Sequence, residues 1–202
     1  MKDTALKIAE KIAAGVGYDK THVTRTVAYR AVDEFLDTLP VNEMDALEIA
    51  AGWKWRERPW ASFTEMNWPD HDICEDALNQ RFDIAIADNV WEHLLHPYRA
   101  ATHVLEMLKP GGIFINITPF LIKHHPIPYD CTRWTELGMR HFLGDVGFDP
   151  DTVETGSWGN RAAVKANFSR WARTGWQRTL RNEPDFPVTV WAIARKPQAP
   201  AP

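Results

Sequence analysis

The chain has 202 residues, 45% of them hydrophobic and 25% charged, with a formal net charge of -4. That balance suits one folded domain with a sizeable core, and it excludes a disordered chain or a miniature scaffold. The small negative charge gives no global attraction to nucleic acid or to an acidic membrane surface, and no apolar run reaches the roughly eighteen residues of a membrane span.

The segment up to Pro40 reads as helical. Leu6, Ile8, Ala9, Ile12, Ala13 and Val16 recur at helical spacing before Gly15 and Gly17 break the run. A second helix, capped by Thr21 or Thr24, carries an apolar stripe of Val27, Ala28, Ala31, Val32, Phe35, Leu36 and Leu39, and Pro40 stops it. Residues 1–44 are therefore expected to form a helical cap, residues 45–196 the main domain, and residues 197–202, rich in Pro and Ala, a disordered tail.

From Asp45 onward short apolar runs alternate with helical patterns, the pattern of a parallel sheet buried on both faces. Strands are expected at Ala46–Ala50, Ser62–Met66, Phe82–Ala87 and Ile113–Ile117, with a helix over Pro97–Leu108 turned by Lys109-Pro110-Gly111-Gly112. A helix over Thr135–Val146, a strand near Thr152–Thr155, a basic helix near Ala162–Leu180 and a last strand Val188–Ala194 follow. Two cysteines, Cys74 and Cys131, stand far apart and read as reduced thiols, which makes a cytoplasmic protein the expectation. Ten tryptophans supply flat, polar-edged surface for a core or an aromatic pocket. Those near the first turn would serve a pocket wall or a homodimer contact.

Open parallel sheets bind ligands beyond the carboxyl ends of their strands. Glu48-Ile49-Ala50-Ala51-Gly52 follows the first strand, and Phe82 to Leu94, the helix after it and Leu108-Lys109-Pro110-Gly111-Gly112-Ile113-Phe114 form an ordered run further on. This order of motifs resembles the class I S-adenosylmethionine-dependent methyltransferases over roughly Asp45 to Arg195. The resemblance extends to Asp130-Cys131-Thr132-Arg133-Trp134-Thr135 and on to Gly147-Phe148. It departs from the family in its first, glycine-poor turn, where Ala50 and Lys54 stand for two of the glycines. The interval from Gly52 to Ser62 is also short for the usual crossover helix.

The resemblance implies a Rossmann-like α/β fold, a doubly wound seven-stranded sheet with the last strand antiparallel. It implies S-adenosyl-L-methionine as cofactor and S-adenosyl-L-homocysteine as product. It assigns cofactor contacts to Glu48, Ala50 and Gly52 at the first turn, to Glu65 for the ribose hydroxyls, to Asp72 and Ile73 for adenine, and to Asp88 and Asn89 beside the reacting methyl. A carboxylate suits the ribose because it offers two acceptors to two donors.

Methyl transfer from a sulfonium is an in-line displacement, so the protein mainly aligns the acceptor and, where needed, removes a proton. His93, His124 and His125 are the candidate bases because an imidazole titrates near neutrality. Tyr29, Trp91, Tyr129, Asp130, Arg133 and Trp134 are the candidate walls of the acceptor pocket. A metal triad of His124, His125 and Asp130 has too loose a spacing, and no metal site is expected. Asp88-Asn89-Val90-Trp91 stands where the DNA amino-methylating branch carries Asp-Pro-Pro-Tyr or Asn-Pro-Pro-Tyr, which argues against DNA.

The expected activity is therefore methyl transfer to a small-molecule acceptor, with oxygen preferred over nitrogen. Two rival readings stand beside it. One is a non-catalytic scaffold whose cofactor pocket has decayed at the first turn. The other is an RNA methyltransferase or its partner subunit, resting on the basic segment Arg161 to Arg181, with Arg170, Arg173 and Arg178 as the phosphate contacts.

Overall fold

The computed structural model describes residues 22–50, 52, 54–169, 171–172 and 180–198. The expected first helix with Gly15 and Gly17, the Thr21 cap, Ala51, Trp53, the three arginines 170, 173 and 178, and residues 199–202 lie outside them.

Six strands form one sheet in the order β2-β1-β3-β4-β6-β5. They are β1 (Asp45–Ile49), β2 (Ser62–Met66), β3 (Phe82–Asp88), β4 (Leu108–Pro119), β5 (Glu154–Trp158) and β6 (Thr189–Arg195). The first four run parallel, and β6 is antiparallel to both of its neighbours, β4 and β5. Four α-helices accompany them among the described residues: α1 (Val23–Leu36), α2 (Pro97–Met107), α3 (Glu136–Val146) and α4 (Arg161–Ser169).

Side chains alternate across the central strands and so divide the core in two. Ile84 and Ile86 of β3 with Ile113, Ile115 and Ile117 of β4 face α1, which packs Ala28, Tyr29, Val32 and Leu36 on them. Phe82, Ala85 and Ala87 of β3 with Phe114 of β4 face the other way, where α2 and α3 bury Ala100, Ala101, Val104, Met139, Phe142 and Leu143. Helix termini follow from local chemistry. Pro97 opens α2 at a position where a missing N–H costs nothing. Thr135 caps α3 by accepting from the Gly138 N–H at 3.0 Å, and Gly147 ends it in the left-handed conformation at φ 114°.

Two expectations need correction. The sheet has six strands among the described residues and not seven, because Asn67 to Arg81, with Pro69 and its polar turn residues, forms turns and irregular chain between β2 and β3. Between β1 and β2, where the interval is short for a crossover helix, the described residues 54–57 form a turn. Of the expected basic helix, Arg161–Ser169 is helical and residues 171–172 are irregular, while 170 and 173–179 lie outside the described residues.

The two ends of the sheet differ in charge pairing. At the amino ends, Lys109 donates to Asp45 at 2.9 Å and to Asp83 at 2.7 Å, tying the starts of β1, β3 and β4 together. The carboxyl ends carry carboxylates that are buried or shared with distant elements. No helix of the described residues is long and apolar enough to cross a membrane.

Candidate functional site

Glu48 is the next-to-last residue of β1, and its lateral partner in the parallel register is Glu65 of β2. On the other side β3 ends in Asp88. Parallel strands in register thus bring three carboxylates to the same end of three adjacent strands, although their residues are far apart in sequence.

Glu48 is 1% exposed. Its Oε1 accepts from the Gly52 N–H at 3.0 Å, while Oε2 is buried without a hydrogen-bond partner among the described residues. Burial pushes this carboxyl above its ordinary range; the Gly52 N–H opposes the shift, and the nearby Asp88 and Glu65 charges add to it. Glu65, about a third exposed, is held by Arg56 in an ion pair. Ala50, the turn residue after β1, is exposed and adopts φ 56°, the left-handed region that glycine favours. Its N–H is anchored on the Met66 carbonyl at 2.8 Å. Gly52 itself has a φ outside that region, and an added Cβ there would meet only Glu48 Oε1 at 3.6 Å.

Asp88 receives hydrogen bonds on both oxygens. Tyr29 Oη of α1 donates to Oδ2, and Asn89 Nδ2 donates to Oδ1 at 2.6 Å. Burial raises the Asp88 pKa against these bonds and the Arg25 charge, and burial together with the Asp88 charge raises that of Tyr29, so the phenol stays protonated and donates. Asn89 also has a positive φ, 55°, which asparagine tolerates better than most residues, and its N–H bonds the Ile117 carbonyl of β4 at 2.8 Å. Tyr29 was expected in the acceptor wall; it is largely buried, and it joins α1 to the end of β3.

Asp72 is a turn residue whose Oδ1 accepts from the Cys74 N–H at 2.8 Å. The segment it belongs to packs on α2, where His103 bonds the Ile73 carbonyl at 2.7 Å. Ile73 is buried.

Beyond β3, the short 3-10 turn Trp91–His93 puts its three side chains to different uses. Trp91 is wholly buried against Phe114, with ring centroids 5.0 Å apart, so it belongs to the core and not to a pocket wall. Glu92 is 1% exposed and its Oε2 has no partner among the described residues. Burial pushes its pKa up to about 8. His93, half-buried, bonds the Tyr129 carbonyl through Nδ1 and holds Nε2 at 3.6 Å from Glu92 Oε1.

The loop after β4 folds back over this turn, with the Cys131 N–H donating to the Glu92 carbonyl at 2.7 Å. It brings the His125 ring to 5.0 Å from that of His93 and 5.5 Å from that of Trp171. Burial holds the His125 pKa below its ordinary value. Asp130 is consumed by structure. It pairs with Arg133, whose Nη2 lies 2.7 Å from Oδ2, and it accepts from the His125 N–H at 2.9 Å. His124 points into solvent, and Trp134 stacks on Phe142 at 4.5 Å as a flank of the core. Tyr129 is half-exposed, so of the expected acceptor wall it presents the most open ring.

Sequence reading missed Arg56, Glu92 and Trp171. The Glu-His doublet was the signal for Glu92; nothing in the sequence pairs Trp171 with His125.

No family model matches the chain, and no curated relative matches it. Solved structures do. A chain from the complex of the Haloferax volcanii Trm112 methyltransferase activator with a methyltransferase superposes with a TM-score of 0.59 at 15% identity, covering 87% of this chain and 92% of that one. Haemonchus contortus phosphoethanolamine N-methyltransferase 2, with phosphomonomethylethanolamine and S-adenosylhomocysteine, gives 0.56 at 12% identity, covering 84% of this chain and 53% of that one. An S-adenosylmethionine-dependent methyltransferase from Mesorhizobium loti gives 0.53 at 17% identity, with 81% and 96% covered. The chain has the Rossmann-like fold of the class I S-adenosylmethionine-dependent methyltransferases.

Proposed function

We propose that this protein is an S-adenosylmethionine-dependent methyltransferase acting on a small-molecule acceptor. The observation that carries the reading is the convergence of Glu48, Glu65 and Asp88 at the carboxyl ends of β1, β2 and β3, with one Glu48 oxygen buried and unpartnered among the described residues. A buried carboxylate oxygen without a donor is costly, and such groups concentrate where a ligand completes them.

The donor set fits the cofactor. Glu65, at the end of β2, offers a carboxylate to vicinal ribose hydroxyls once Arg56 swings aside. Glu48 and the Gly52 turn would hold the amino-acid end, and the buried Ile73 would be an apolar neighbour of the adenine. When bound, the cofactor supplies a methyl group already activated on a sulfonium. The work left to the chain is to orient the acceptor and take its proton. The half-buried His93 and His125 and the half-exposed Tyr129 stand beyond β3 where an acceptor would approach. This compact, aromatic flank favours a metabolite over a polymer. An oxygen acceptor is preferred over nitrogen, since a neutral imidazole suits deprotonation of a hydroxyl.

Calorimetric titration with S-adenosylmethionine and S-adenosylhomocysteine tests the reading. Both ligands should bind, and at one hundred times the dissociation constant either should add about 2.7 kcal/mol of stability, roughly 5 to 10 °C in Tm. Glu65→Ala should weaken both. Well-folded protein that binds neither ligand would refute the assignment and favour a scaffold with a decayed pocket.

A further inference from the structure

A second cluster of ligand-competent groups lies beside the proposed cofactor contacts. Glu92, His93 and His125 present one donor atom each, all within 4.8 Å of one another. Tyr129 offers His93 a carbonyl oxygen, which can only accept, so His93 Nδ1 carries the hydrogen. His93 Nε2 lies 3.6 Å from Glu92 Oε1. The spacing is too long for a direct hydrogen bond and close to the ~3.4 Å that separates two ligands of one tetrahedral ion bound at about 2.1 Å. The other carboxylate oxygen, Glu92 Oε2, is buried with no partner among the described residues.

We propose that Glu92, His93 and His125 form a binding site for a divalent transition-metal ion, zinc foremost, just beyond the carboxyl end of β3. Two imidazoles and a carboxylate are a donor set that suits zinc and leaves a fourth position open. The outer shell is in place: the Tyr129 carbonyl fixes the His93 tautomer, and Trp171 backs the His125 ring. The neighbouring Arg133 charge is answered by Asp130. His125 sits on a loop without regular structure, which leaves it free to close the ligand set. The triad differs from the one considered in the sequence, because Asp130 is committed to Arg133 and His124 is exposed, whereas Glu92 is buried and half unpartnered.

The test uses tag-free, chelator-treated full chain and the metal alone. Zn2+ is titrated by calorimetry and Co2+ by its visible absorption, which reports coordination directly. One equivalent of each is expected, with Co2+ showing an intense tetrahedral spectrum. His125→Ala should weaken binding by more than the roughly 10–100-fold that loss of an outer-shell partner alone costs. Glu92→Gln should do the same, and His124→Ala should leave affinity unchanged. Because His125 lies on a loop, its variant keeps the test decisive even if Glu92→Gln fails to fold. Absence of stoichiometric binding, binding that survives His125→Ala, or equal loss in His124→Ala would each overturn the site. None of these readouts depends on the methyltransferase reading.

Discussion

Ala50→Gly should stabilise this protein, against the usual direction of an alanine-to-glycine change. Ala50 sits at φ 56°, where a Cβ crowds the following carbonyl at a cost of about 1–2 kcal/mol. The conformation is imposed from outside, by the Ala50 N–H bond to the Met66 carbonyl and by the Gly52 N–H bond to Glu48. Glycine removes the crowding but raises the entropy of the unfolded chain, which costs about 0.4–1 kcal/mol. Ala50 is exposed, so losing its methyl group forfeits little packing. The balance is a gain of about 1 kcal/mol, or roughly 2–4 °C in Tm for a chain of this length. Urea unfolding followed by circular dichroism measures it, with an unchanged m-value as the check that only stability has moved. Ala50→Val, β-branched at the same backbone angles, should lose stability. A loss of about 0.5–1 kcal/mol for Ala50→Gly is what glycine costs at negative φ, and that result would refute the left-handed turn.

Three further outcomes follow from the packing and the charges. Trp91→Ala should cost about 3–5 kcal/mol in urea unfolding, because the side chain is wholly buried; Trp91→Phe should cost far less, since it also removes an indole N–H that has no partner among the described residues. Tyr29→Phe removes the donor from Asp88, and a double-mutant cycle with Asp88→Asn should show a coupling of at least about 0.5 kcal/mol; strict additivity would sink the contact. Asp33 accepts from Lys54 at 2.7 Å and from Arg58 at 2.8 Å; these partners outweigh its burial and hold its pKa below the ordinary value. Near and below about pH 4 the unfolded chain binds the proton more readily, so the contribution is complete above that pH and fades as pH falls through the folded pKa. The Tm difference between wild type and Asp33→Asn should be flat from pH 8 to 5 and shrink below 4.

Local signals made much of the fold legible. Pro97 and the Ala100, Ala101, Val104 spacing define α2, and Thr135 with Gly147 brackets α3 to within a residue. The apolar run Phe82 to Ala87 defines β3 because both its faces are covered. What failed depended on distant partners. The stripe on α1 contains Ala28, Val32 and Leu36, but the ring of Tyr29 is turned inward by an acceptor on Asp88, far along the chain. Trp91 has the amphipathic chemistry of a pocket wall, and only the position of Phe114 on β4 makes it core. The seventh strand was carried by the family resemblance and by no run of residues, and the segment between β2 and β3 lacks the apolar alternation to form it.

The distribution of unpaired charge argues that the carboxyl end of the sheet is where the protein works. At the amino end Lys109 sits between Asp45 and Asp83, and Asp45 also takes the Ser62 hydroxyl at 2.6 Å. At the carboxyl end two buried glutamates, Glu48 and Glu92, each keep one oxygen without a donor among the described residues. Folding alone would not favour this arrangement, since leaving a buried polar group unsatisfied costs about 1–3 kcal/mol and an alanine or leucine would avoid it. The two oxygens also lie on different sides of Asp88 in the chain's layout, Glu48 toward β2 and the expected cofactor, Glu92 toward the loop after β4. A ligand that donates hydrogen bonds would satisfy the first, and the proposed cation would satisfy the second. The same cost thus separates two sites, and each predicts a stabilisation on loading that the other does not require.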